Sequence, residues 1–296
     1  MNIVNGEYKL NVNGIYHWVK VDGAEKKTTP LILIHGGPGG NHYNFERTAG
    51  QMLAEGRTVV YYEQRGSGRS DTPQSEEEFS MNLLISDFKL LKDLLGIKKA
   101  DLLGYSFGGE LALEIAYAYP DEIGRLVLSG PSLMYSNIQQ LIQLQGFMTV
   151  AESPMLERIE TILKENNSLE EKYNQVWSIV DTKTIDRFLF EDQRIAEMNR
   201  KLWEESGLRN TGLLMKALYK HPPKEPLLNK LEKIKHETLL ITGVHDRNTG
   251  LSVSKIIQNK LSNSKMELFN NSAHFPDMEE TEKFVKKVVD FLKTNG

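Results

Sequence analysis

At 296 residues the chain is long enough to bury a sizeable core unaided, as one domain or as a core carrying an insertion. Its make-up, 40% hydrophobic and 26% charged, is that of an ordinary globular protein, and a net charge of −4 with interspersed signs excludes the basic stripe of a nucleic-acid binder. With no cysteine, disulfides, thiolate metal sites and a cysteine nucleophile are excluded.

The opening residues, MNIVNGEYKL, lack the charged and apolar regions of a signal peptide, and the longest aliphatic runs are far short of a membrane span. The expectation is a cytoplasmic protein. Residues 8–12 and 15–21 read as strands joined by the Asn13-Gly14 turn, a strong hairpin signal. Apolar runs follow at 31–34, 58–62, 100–103, 126–129, 238–242 and 265–269, with compositions suited to strands buried on both faces. Between several of them lie helical patterns. Leu83, Ile85, Phe88, Leu91, Leu94 and Leu95 form one apolar stripe; Phe284, Val285, Val288 and Leu292 form another. Such alternation predicts an α/β fold with a mostly parallel, eight-stranded sheet and helices on both faces.

The alternation lapses between about 132 and 235, a stretch with 15 acidic and 15 basic residues, five of the ten methionines, and both Trp177 and Trp203. The predicted organisation is a core at 1–131 and 236–296 with an inserted helical cap at 132–235. Most of the cap's large apolar residues should form its own core, and a minority should line a pocket.

The segment 101–113, DLLGYSFGGELAL, puts a buried strand before Ser106 and a helical pattern after it. Gly104 to Gly108 fit G-x-S-x-G, in which a serine on a strained turn needs small neighbours two residues to either side. The competing reading is a structural serine in a strand-to-helix loop. A serine hydroxyl is a poor nucleophile at neutral pH and needs a histidine whose second ring nitrogen meets a carboxylate. On such scaffolds the chain order is serine, acid, histidine. Asp246 follows the run 238–242, and His274 follows 265–269, at spacings of 140 and 28 residues. The run 126–129 ends in Ser129-Gly130, with no carboxylate. Ser106 is therefore the expected nucleophile, His274 the base and Asp246 its orienting acid. His17, His35, His42, His221, His236 and His245 are weaker candidates, with His42 placed to reach the pocket mouth. No histidine pair has metal-ligand spacing with nearby carboxylates, so no metal is expected.

His35-Gly36-Gly37-Pro38-Gly39-Gly40 directly follows the run 31–34. Acyl transfer develops negative charge on the former carbonyl oxygen, and backbone N–H groups must be waiting for it. Gly37 and Phe107 are the expected oxyanion donors. A phosphate-cradling loop is the alternative, but neither G-x-G-x-x-G nor a following Gly-Lys-Ser/Thr is present. No cofactor is implied.

Together these motifs resemble the α/β-hydrolase superfamily, and within it the proline iminopeptidase branch. The matches are His35 to Gly39, the loop Glu63-Gln64-Arg65-Gly66-Ser67-Gly68-Arg69-Ser70, the turn at Ser106, and the triad order. They cover about two-thirds of the chain, residues 31–130 and 238 to the end. The resemblance implies Ser-Asp-His chemistry and is less specific for substrate. In that family the loop at Glu63 usually opens with Asp, and Trp often stands where Phe107 is. Iminopeptidases also hold the substrate's α-amino group with glutamates, one from the cap and one directly after the catalytic aspartate. Here Arg247 follows Asp246, and the cap run 204–210, EESGLRN, offers no clean match. An ammonium about 4 Å from an uncompensated guanidinium is disfavoured by a few kcal/mol at intermediate dielectric. Glu204 or Glu205 would have to substitute, and a solvated helix face is the plainer reading of both. The expected substrate is therefore a carboxylic ester or lactone, bulky and largely apolar, bound near Tyr105, Trp177 and Trp203. An iminopeptidase acting on short peptides is the alternative, and a non-catalytic ligand-binding protein a third reading. None of the three involves a nucleic acid or a membrane as partner.

Overall fold

The computed structural model describes residues 3–293; residues 1–2 and 294–296, at the two ends of the predicted core, lie outside the described residues. Eight strands form one sheet: β1 (Gly6–Val12), β2 (Ile15–Asp22), β3 (Leu31–Ile34), β4 (Val59–Tyr62), β5 (Ala100–Tyr105), β6 (Ile123–Ser129), β7 (Thr238–Gly243) and β8 (Ser264–Phe269). Their order is β1-β2-β4-β3-β5-β6-β7-β8. β2 is antiparallel to both its neighbours, and every pair from β4 to β8 is parallel. The β1–β2 turn uses positive φ at Asn13 (50°) and Gly14 (78°), as a two-residue hairpin matched to strand twist requires. From β3 the chain crosses to β4 on one side, then to β5 on the other. The carboxyl ends of β3 and β5 therefore meet at a switch point, where such sheets open a binding crevice.

Two helical layers explain the unbroken aliphatic runs. On one face, α3 (Met81–Leu94), α4 (Phe107–Ala118) and α11 (Gly250–Lys260) cover Ile32, Ile34, Val60, Leu102, Leu128 and Leu240. On the other, α1 (Tyr43–Arg47), α2 (Ala49–Ala54) and α13 (Thr281–Leu292) cover Leu31, Leu33, Val59, Leu103, Val127 and Ile241. Successive strand residues thus point into different cores, and the few polar side chains buried with them, such as Thr242 on Ser254, find hydrogen-bond partners there.

Six α-helices lie between β6 and β7: α5 (Asn137–Val150), α6 (Met155–Lys164), α7 (Leu169–Ile179), α8 (Thr182–Leu189), α9 (Gln193–Ser206) and α10 (Leu213–Lys220). Ser168 and Glu171 form a capping box that starts α7, and the Asp181 side chain caps α8. Leu144, Phe147, Ile159, Val176 and Phe188 make a small core of their own, in which the Phe147 and Phe188 rings stack at 4.2 Å. α10 instead gives Leu214, Ala217 and Leu218 to the core over α3 and α4. No helix among the described residues is long and apolar enough to cross a membrane.

The 63–70 loop is a clamp between the hairpin, β4 and α3. Arg65 forks onto buried Asp87 of α3 (Nε to Oδ2 2.6 Å, Nη2 to Oδ1 2.7 Å), which also accepts from Asn13 of the hairpin turn at 2.8 Å. Glu63 is buried, accepts from the His42 amide at 3.1 Å and pairs with Arg69, whose guanidinium lies 3.2 Å from the centre of the Trp18 ring.

Candidate active site

β5 ends at Tyr105, α4 begins at Phe107, and Ser106 between them has φ 55° and ψ −125°. Such a backbone costs on the order of 1–3 kcal/mol in a non-glycine residue and persists only where its surroundings over-determine it. They do. The Ser106 amide donates to Ser129 O of β6 at 2.9 Å, and its carbonyl accepts from Gly109 at 2.9 Å and Ser132 at 3.1 Å. A Cβ on Gly104 would strike the Gly108 carbonyl, and one on Gly108 would strike the Ile34 carbonyl in β3, which explains both glycines of the motif.

The loops after β7 and β8 bring Asp246 and His274 together. His274 Nδ1 lies 3.1 and 3.2 Å from the two Asp246 oxygens. Asp246 also accepts from the amides of Asn248 (2.8 Å) and Thr249 (3.1 Å) and from Thr249 Oγ1 (2.7 Å). Burial pushes the Asp246 carboxyl upward, but His274 and these hydrogen bonds outweigh it and hold the group below its ordinary value. The ring is thereby oriented with Nδ1 as donor. Nε2 makes no hydrogen bond among the described residues, and the ring lines the same cavity as Ser106. Glu279 grips the histidine loop: Oε2 accepts from Ala273 N at 2.7 Å, and Oε1 from Glu191 and Asp192 N at 2.7 and 2.9 Å, at the α8–α9 joint.

After β3, His35 is scaffolding. Its Nδ1 bonds Gly36 O at 2.9 Å and its Nε2 accepts from Gln64 N at 3.0 Å, while burial pushes its pKa down. Gly37 has φ 122°, and a Cβ there would crowd the Gly39 and Gly40 nitrogens. The N–H groups of Gly37 and Phe107 donate to no protein acceptor among the described residues. Asn210 Nδ2 donates to Pro38 O at 3.2 Å, tying the 207–212 turn to this loop. His42 is buried behind Tyr105 rather than at a pocket mouth.

Two cavities meet at Ser106. Phe45, Tyr105, Trp177, Trp203, Phe275 and Met278 give one of about 300 Å³ its apolar wall, and Asn44, Asn199, Asn210 and Asn248 add amides. Apart from His274, its one ionisable wall residue of acidic or basic type is Asp277. The second, of about 440 Å³, shares Gly37, Ser106, Trp177 and Asn248 with the first and adds Phe107, Gln143, Tyr173, Lys216 and Tyr219. Larger hollows lie at the amino ends of the strands, around Arg57, Asp101 and Ile97, away from this chemistry.

Of the residues singled out from sequence, Ser106, His274, Gly37, Phe107, Tyr105, Trp177 and Trp203 reach these cavities, with Asp246 behind His274. Three do not. Glu204 and Glu205 are exposed, because the four-residue spacing of Asn199 and Trp203 turns that face of α9 inward and leaves the glutamates outside. Arg247 lines neither cavity; it pairs with Glu191 at 2.8 Å and donates to Arg187 O at 3.2 Å. The expected uncompensated guanidinium is therefore compensated and turned away. The residue that sequence reading missed is Asp277, three after His274. Its one signal is membership of the acid-rich run PDMEE, in which nothing local says which carboxylate faces the cavity.

Residues 29–281 match the alpha/beta hydrolase fold family. The chain belongs to that family. A protein of Saccharolobus solfataricus named proline iminopeptidase is 26% identical over 305 residues, covering 99% of this chain and 93% of the relative. The crystal structure of a proline iminopeptidase-related protein from Thermus thermophilus superposes with a TM-score of 0.81 at 23% identity, covering 98% of this chain and 97% of the other. An esterase from Exiguobacterium antarcticum follows the same fold at a TM-score of 0.70 and 20% identity, covering 98% of this α/β-hydrolase and 100% of the esterase. The eight-stranded α/β-hydrolase architecture and the likeness to the iminopeptidase branch agree with the sequence reading.

Proposed function

We propose that this α/β-hydrolase is a proline iminopeptidase, releasing an N-terminal proline from short peptides through an acyl-enzyme on Ser106. The observation that carries the reading is the position of Arg247. The case for an ester or lactone rested on a cation beside the substrate amine, and the guanidinium is instead tied to Glu191 outside both cavities. The similarity to the Saccharolobus iminopeptidase supports it further, because it runs the length of the chain, including the helices between β6 and β7. In this reading those helices are a cap over the site.

His274 Nε2 takes the Ser106 proton as Oγ attacks the prolyl carbonyl carbon. The Gly37 and Phe107 N–H groups receive the oxygen that becomes negative, at backbone positions set before substrate arrives. Collapse breaks the C–N bond, and His274 hands its proton to the departing amine. Water, deprotonated by the same ring, then attacks the prolyl ester and frees Ser106. Asp246 keeps the ring in the working tautomer and stabilises its charged form.

An ester or lactone hydrolase is the second reading, favoured by the apolar wall of Phe45, Trp203, Phe275 and Met278. The deciding measurement is kcat/KM for proline-naphthylamide, its N-acetylated form and p-nitrophenyl acetate. An iminopeptidase prefers the free proline arylamide and refuses the acetylated one. Efficient ester cleavage with no turnover of the proline substrate would transfer the assignment to the second reading.

A further inference from the structure

An exopeptidase must recognise a charged chain terminus, and an ammonium inside a largely apolar cavity needs a carboxylate near it. The two glutamate positions where the iminopeptidase resemblance looks for one are unsuitable here: Arg247 occupies the first, and Glu204 and Glu205 are exposed. The other acids around the site are already committed. Asp246 holds His274, Glu191 holds Arg247, and Glu279 accepts three backbone N–H groups. Glu110 accepts from Ser132 Oγ at 2.6 Å and Met134 N at 2.8 Å.

Asp277 is different. It sits at the second position of α12 (Pro276–Glu279), lines the 300 Å³ cavity, and is only 4% exposed. Its carboxylate makes no hydrogen bond or ion pair with another side chain among the described residues; the one donor it meets is its own backbone amide. From this geometry, and resting on the iminopeptidase reading, we infer that Asp277 is the anchor for the substrate's terminal ammonium. Burial pushes its carboxyl up to about 7 although its own amide and His274 pull the other way, so the anion gains from a further cation beside it. A bound ammonium supplies that cation.

The assignment also orients the substrate. Asp277 lies in one of the two cavities that meet at Ser106, so the N-terminal residue occupies that chamber, against Phe45 and Trp203. The departing peptide then runs into the other, past Tyr173 and Tyr219. Asp277 thereby counts the chain end, since a residue added before the proline would have to pass through the Asp277 wall.

Protection of Ser106 from a fluorophosphonate probe tests the anchor without relying on peptide turnover. The quantity read is the ratio of protecting concentrations, N-acetylprolinamide over prolinamide. In wild type the ammonium form should protect roughly ten- to a hundred-fold better, the range expected for a hydrogen bond to a charged group. In Asp277→Asn the ratio should fall to near one, whereas Asp277→Glu, which keeps the charge, should retain part of the preference. A wild type that does not favour prolinamide overturns the anchor, and so does an Asp277→Asn variant with an unchanged ratio. If Asp277→Asn does not fold well enough to label, loss of the preference in a labelling Asp277→Glu variant overturns it as well. Cleavage of proline-naphthylamide combined with an unchanged ratio in Asp277→Asn would sink the anchor and leave the iminopeptidase reading standing. A preference abolished in Asp277→Asn, in an enzyme that cleaves esters alone, would do the reverse.

Discussion

Asp277 should cost the folded protein free energy wherever it is ionised, so Asp277→Asn should stabilise the protein at alkaline pH and leave it nearly unchanged in acid. Burial, the largest influence, raises the carboxyl from 3.8 to about 7 in the folded state. Between those values the native state holds a proton that the unfolded chain has released, so stability falls as pH rises through the window. Below about 4 both states are protonated and the penalty vanishes; above about 7 it is complete. A shift of about three pKa units corresponds to an upper figure on the order of 4 kcal/mol. At roughly 2 °C per kcal/mol for a chain of this size, the midpoint of Asp277→Asn should exceed wild type by about 5–10 °C at pH 8 and by close to zero at pH 4. Thermal melts of both proteins across that range give the difference directly. Glu110, which burial also pushes to about 7, tilts both curves equally and cancels. Prolinamide should narrow the gap at pH 8 by binding wild type preferentially. A difference independent of pH, or one that grows toward acid, would show that the carboxyl carries no such burden.

Other parts of the site give sharper single answers. Ser106→Ala should abolish fluorophosphonate labelling and leave only the ~10³–10⁴ over water that binding and the oxyanion donors supply, measured by turnover of whichever substrate wild type prefers. Ser106→Gly should melt higher than Ser106→Ala, by about 1 kcal/mol, because glycine relieves the φ of 55°; equal melts would mean the turn is unstrained. Arg65→Ala should destabilise the fold by about 3–5 kcal/mol in urea melts, since it leaves Asp87 buried and uncompensated. Arg247→Glu should alter kcat/KM for proline-naphthylamide by no more than several-fold, because the guanidinium faces Glu191 rather than substrate; a gain of orders of magnitude would restore Arg247 to the pocket.

What could be read from the sequence and what could not divide along a physical line. The strands were legible because β3, β4 and β7 are buried on both faces, which forces short runs rich in aliphatic and aromatic side chains and free of charge. The turn at Ser106 was legible because its constraint is steric and local: Gly104 and Gly108 leave no room for a Cβ, and their spacing is visible in five residues. Asp246 and His274 followed because each loop leaves a strand end and few acids compete there.

Specificity is held by pairings that have no local signature. Arg247 looked uncompensated because its partner, Glu191, lies 56 residues earlier, on a joint between two helices whose docking no periodicity announces. Glu204 and Glu205 lost their role to the phase of α9, which turns Asn199 and Trp203 inward. In the run PDMEE, three acids within four positions have three separate fates. Asp277 faces the cavity, Glu279 binds the amides of Ala273, Glu191 and Asp192, and Glu280 accepts from Asn271 N and Ser272 Oγ. Their order along the chain carries none of this, because a one-residue step on so short a helix rotates a side chain by about 100°. The two glutamates find backbone donors on the loop beside them. Asp277 lines the cavity with no partner side chain among the described residues, and that missing partner, visible only in three dimensions, is what turns an acid-rich run into a recognition site.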